Sequence, residues 1–127
     1  MVPAAIIVIE QDATESGMQQ RKLGRLDDAR TTAARLMTIA RRLVREYPDS
    51  ANSYRVLSEA HNQIKKNAYQ THDNHLIEET LVQAVEAARR TLALDPDRLE
   101  TRNYLERITE QLASIRAERN ATVSSLP

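Results

Sequence analysis

Few residues in this chain have the types and spacing that do chemistry. His72-Asp73-Asn74-His75, followed by Glu78 and Glu79, carries metal-ligand residue types. On a helix His75 and Glu79 would stand one turn apart. The run falls where a loop and a helix start are expected, and Asp and Asn there act as caps without any metal. Two histidines without a third firm ligand form a weak pattern, so no metal site is assigned. Nothing pairs a nucleophile with a base and an orienting group. Asp27-Asp28 and Glu78-Glu79 are sequence neighbours, which a helix splays apart. Two glycines leave no phosphate loop and no dinucleotide fingerprint. These residues predict neither an enzyme nor a bound cofactor. Arg30, Arg35, Arg41, Arg42 and Arg45 share one helix face and could meet phosphate, an acidic protein or a lipid head. No aromatics interleave with them and no net positive charge stands behind them, so the solvated-face reading comes first and nucleic acid is not expected.

The bulk properties say what must position such residues. The chain has 127 residues, enough for one domain. Apolar residues make up 41%, but aromatics only 3%, with no Phe and no Trp. The core must therefore be Ala, Leu, Ile and Val, with Tyr47, Tyr54, Tyr69 and Tyr104 as the large fillers. Only two glycines and four prolines argue against turn-rich β or doubly wound α/β folds and for long helices on short connections. Net charge is zero and there is no Cys, which excludes disulfides and thiolate sites. The apolar start Val2–Ile9 falls short of the ~20 residues a bilayer span takes, and it lacks the flanks of a secretory signal. No membrane contact is expected, and the cytoplasm is the expected compartment. The start reads as a first helix, with a strand as the alternative because Ile6-Ile7-Val8-Ile9 is β-branched throughout.

Helical periodicity is clearest from 27 to 47, where Ala29, Ala33, Leu36, Met37, Ala40, Leu43, Val44 and Tyr47 share a face. Asp27 and Asp28 at its start and Arg45 at its end suit the helix dipole, and Pro48 ends it. A third helix starts at Asp49 or Ser50 with the apolar line Tyr54, Leu57, His61, Ile64 and Ala68, weakening into a loop between Tyr69 and Asn74. The fourth runs from Asn74 to Leu94, burying Ile77, Leu81, Ala84, Val85, Ala88 and Leu92, until Asp95-Pro96 stops it. The fifth runs from about Arg98 to Glu118 with a narrow stripe of Leu105, Ile108, Leu112 and Ile115, as suits the end of a stack. One domain is expected over 1–119, with 120–127 a disordered tail.

Two helices that stop at a proline and restart at once resemble the tetratricopeptide repeat, a helix–turn–helix unit of about 34 residues closed by a proline. Gly17, Gly24, Ala29 and Ala33 stand at the family's small-residue spacing, and Leu23-Gly24-Arg25-Leu26-Asp27-Asp28-Ala29 is similar to its inter-helix turn. Tyr54, Leu57, Ser58, Ala84, Ala88 and Pro96 fill the matching places of a second unit. The resemblance covers residues 10–112. Pro48 comes about seven residues late, which is two helical turns and keeps the face. Ser16 stands where the family has a large apolar residue, and the second unit is longer between His61 and Ala84. The generic alternative is an antiparallel helical bundle.

The resemblance implies an all-α chain of about five helices, paired as antiparallel hairpins and stacked as a short right-handed α-α superhelix. It implies a protein–protein interaction module that holds a peptide or helix of another protein in a groove lined by the first helix of each hairpin. By position those residues are Asn52, Arg55, Glu59, Asn62, Gln63 and Lys66 on the third helix, and Asn103, Arg107 and Glu110 on the fifth. Periodicity places this face opposite Tyr54, Leu57 and Ile64, in solvent, and His61 would be a packed interface residue. Asn and Arg there could hold a peptide backbone or a carboxylate. The alternative is a structural or dimerising segment of a larger bacterial signalling protein, such as a serine/threonine kinase, with no ligand of its own; a homodimer belongs to this reading.

Overall fold

The computed structural model describes residues 2–124. They form five helices: α1 (Ala4–Lys22), α2 (Leu26–Glu46), α3 (Ala51–Gln70), α4 (Asn74–Leu94) and α5 (Leu99–Ser124). Among the described residues there is no strand. Each helix packs antiparallel on its neighbour in the chain, and α1 also touches α3. The fold is all-α, as expected.

The stops follow local chemistry. Gly24 has φ +72, a left-handed backbone that L side chains rarely adopt, and it lets α1 turn into α2. Ahead of Pro48, Tyr47 leaves the helical region at φ −131, and Ser53 Oγ donates to the Tyr47 carbonyl at 2.9 Å to close the turn. His72 takes φ 54 in the third turn, and Asp73 then caps α4 by accepting from the Leu76 amide at 3.1 Å. The fourth turn carries Pro96, and Arg98 Nε donates to Asp95 there at 2.8 Å.

The β-branched start forms the first helix, as read, and not the alternative strand, and Ile6 and Ile7 pack on the α2–α3 core. Two expectations change. The polar stretch after Tyr69 is helical to Gln70, so the loop is only 71–73. Residues 120–124, expected as tail, continue α5, while 125–127 lie outside the described residues.

Small side chains set the spacing. Ala40, Ala60, Ala84 and Ala88 are fully buried, so helices meet almost backbone to backbone. One core cluster joins Leu36, Met37 and Leu43 of α2 to Val56 of α3, and the other joins Ile77 and Leu81 of α4 to Ile108 and Ile115 of α5. The largest departure from the sequence reading lies in α3. Tyr54, Leu57, His61 and Ile64 are only half-buried, while Ser53, Val56, Ala60, Gln63 and Asn67 are buried. α3 is the central helix, packed by α1, α2 and α4, so it has no single dry stripe.

Candidate functional site: a polar groove between α3 and α5

α3 and α5 both pack on α4, and between them lies an open groove of about 420 Å³. That falls within the ~300–1,000 Å³ typical of ligand clefts. Arg55, Ser58, Glu59, Asn62, Lys65 and Lys66 line the α3 wall. Glu100, Thr101, Tyr104, Arg107, Ile108 and Gln111 line the α5 wall, and Thr91 of α4 lies at the floor. Helical spacing of three and four puts Ser58, Asn62 and Lys65 on one line, and Thr101, Tyr104, Ile108 and Gln111 on another.

Lys65 is the unusual member. It is 5% exposed, and its Nζ donates to Gln111 Oε1 at 3.1 Å and lies 5.7 Å from the Tyr104 ring centroid. Among the described residues it has no carboxylate within ion-pair range. Burial, then the charges of Lys66 and Arg107, hold its amine down to about 8, with Glu59 pulling the other way. The Arg107 guanidinium also lies 5.7 Å from the Tyr104 ring centroid. Tyr104 Oη is shut off from solvent, and burial, with the Glu59 charge, pushes the phenol up, while Ser58 beside it and Arg107 pull the other way.

The Arg55 end of the same α3 face is already occupied. Arg55 holds Glu10 of α1 through two hydrogen bonds of 2.7 and 2.8 Å, and Glu10 is 4% exposed. Thr14 donates to Glu59 at 3.2 Å, and Gln63 donates to the same Glu59 oxygen at 2.7 Å. Arg21 donates to Gln63 and Asn67 at 2.9 and 3.1 Å. Gly17 permits this approach, because a Cβ there would lie 2.7 Å from Gln63 Oε1.

Of the residues placed on this face from the sequence, Arg55, Glu59, Asn62, Lys66 and Arg107 line the groove together. Asn62 and Gln63, expected in solvent, are buried, Gln63 within the α1 network; periodicity could not show α1 packing on α3. Asn52 instead accepts from Arg98 at 2.7 Å, which ties the α4–α5 turn to the start of α3. Asn103 is exposed outside the groove, and Glu110 faces a different hollow with Leu92 and Leu105. Sequence reasoning missed Ser58, Lys65, Thr101 and Tyr104. Their spacing was legible, but their mixed polarity gave no hydrophobic signal.

The other chemical candidates are placed simply. Asp73 is a helix cap, and His75 and Glu79 are exposed, with His75 Nε2 4.0 Å from Glu79 Oε2. Among the described residues no group of three His, Cys, Asp or Glu is placed to hold a metal ion. The α2 arginines are exposed, with Arg30 paired to Asp27 and Arg42 to Glu46. Among the described residues no helix is long and apolar enough to cross a membrane.

Comparison with protein-family models, with curated proteins and with solved structures finds no match to this chain.

Proposed function

We propose that this chain is a tetratricopeptide-like interaction module whose α3–α5 groove holds a peptide or helix of another protein. The observation that supports this most is the groove itself. It is open, it runs between two parallel walls, and apart from Ile108 the side chains that line it can form hydrogen bonds. Asn62, Ser58 and Thr101 can meet backbone amides and carbonyls, and Arg107 and Lys66 at the rim can steer a charged segment. The groove carries no constellation of nucleophile, base and orienting group, and binding is the chemistry its residues support best.

A peptide array probed with the wild-type chain and with an Asn62→Ala/Arg107→Ala double variant tests this. Helicity by circular dichroism serves as the folding control. Groove binding predicts that peptides held by the wild type lose about tenfold or more in affinity for the double variant. An unchanged set of bound peptides overturns the reading.

A second reading, self-association as a structural segment, draws on exposed apolar residues away from the groove: Val8 at 55%, Val82 at 38% and Leu99 at 67% exposure. Light scattering that finds a monomer at high concentration removes it.

A further inference from the structure

We infer that the occupant of the groove is a helix carrying an acidic side chain, whose carboxylate seats on Lys65 in place of Gln111. This rests on the groove reading above and names the chemistry of its ligand.

The first support is an uncompensated charge. Lys65 is enclosed by its walls, yet among the described residues its amine meets a neutral amide oxygen and an aromatic ring and no carboxylate within ion-pair range. A buried cation ordinarily has a carboxylate partner. Lys66 and Arg107 both add positive potential at the amine, and Glu59 only partly offsets it. Glu100 lines the groove as well, but it forms no ion pair with Lys65. A ligand carboxylate would relieve this crowding where a neutral group would not.

The second support is that the chain already performs the same operation on itself. On one side of the polar face of α3, helix α1 lies alongside and delivers Glu10 to Arg55, with Thr14 bonding Glu59 one turn further on. The side facing α5 carries an equivalent cation, and no helix of the described chain supplies its acid. Gln111 is exposed on the groove rim, so its amide can swing into water and release the amine.

A displayed library of helix-forming peptides, amidated at the C-terminus on resynthesis, tests this. Wild type is the bait, and Lys65→Met and the Asn62→Ala/Arg107→Ala variant are the comparison baits. The expected result is a set of helices sharing one Asp or Glu. Changing that residue to its amide should weaken binding to wild type by about tenfold or more. The same change should weaken binding to Lys65→Met by less than about twofold, since the pair is already broken. The Lys65 amine, followed by NMR, should titrate at higher pH in the complex than free.

Groove-dependent helices that share no acid, or whose acid is indifferent to Lys65→Met, overturn the inference and leave the groove reading standing. Binding that needs a free C-terminal carboxylate overturns it in favour of a chain end. A library that yields nothing distinguishing wild type from the Asn62→Ala/Arg107→Ala variant overturns both.

Discussion

Lys65→Met should make the free chain more stable. Methionine has nearly the length and volume of the lysine stem, so the packed part of the side chain is kept. What changes is the cost of enclosing a cation. A lysine lowered from 10.5 to about 8 corresponds to roughly 3 kcal/mol at ~1.4 kcal/mol per pH unit. The groove mouth is open to water, and screening there reduces the effect to about 1 kcal/mol. The lost bond to Gln111 subtracts little, because that amide is exposed and regains water. Urea denaturation near pH 7 should therefore give a higher midpoint with an unchanged slope. The pH dependence carries the sharper test. The folded chain holds the Lys65 proton less tightly than the unfolded chain, so the penalty is complete below about pH 8. It fades as pH rises toward 10.5, and wild type and variant should converge there. A variant less stable than wild type near neutral pH, or a difference that ignores pH, refutes the claim that Lys65 is held charged at a cost.

Three other outcomes follow from the packing. Glu10→Gln removes one partner of a bidentate pair that α1 makes with α3, and should cost about 2 kcal/mol in thermal or urea melts. Hydrogen exchange should show α1 amides opening first, and uniform exchange across all helices would count against α1 being tied on at this point. Ala88→Leu puts a large side chain where exposure is 0% and should cost about 1–3 kcal/mol by denaturation; a neutral result would mean the helices are not in close contact there. His61 is held down to about 4 by burial, with Arg41 adding to it, against 6.5 when unfolded. The folded form therefore disfavours the charged ring, and stability present above about 6.5 is lost as pH falls toward 4. On the order of 1–2 kcal/mol should disappear over that window after allowance for partial exposure, and a His61→Leu chain should lack this component in acid melts.

The helices of this protein were legible because their instructions are local. Pro48, Pro96, Gly24 and Asp73 act through their own φ angles and side-chain caps, and these operate whatever lies nearby. The apolar stripes of α2 and α4 were legible for a related reason: Leu36, Leu43, Ile77 and Leu81 bury one side against a neighbour, so a period of about 3.6 survives in the residue types. α3 broke this rule. With α1, α2 and α4 packed around it, it spreads burial over polar residues such as Ser53, Gln63 and Asn67, and a hydrophobicity wheel finds only the part of the buried surface where Leu57, Ile64 and Ala68 lie.

The candidate site divides along the same line. Spacing placed the polar residues on one face each of α3 and α5, since position on a helix is a property of one segment, and the resemblance assigned those faces to a groove. Whether they were free was not legible in spacing. Glu10 sits about forty-five residues from Arg55 in sequence, and only tertiary packing brings its carboxylate within 2.7 Å. Gln111 and Tyr104 likewise meet Lys65 only because α4 sets α3 and α5 at one spacing. A side chain's charge is written in the sequence, but the company it keeps depends on chain-distant contacts, and those decide that Arg55 is paired with Glu10 while, among the described residues, Lys65 meets no carboxylate within ion-pair range.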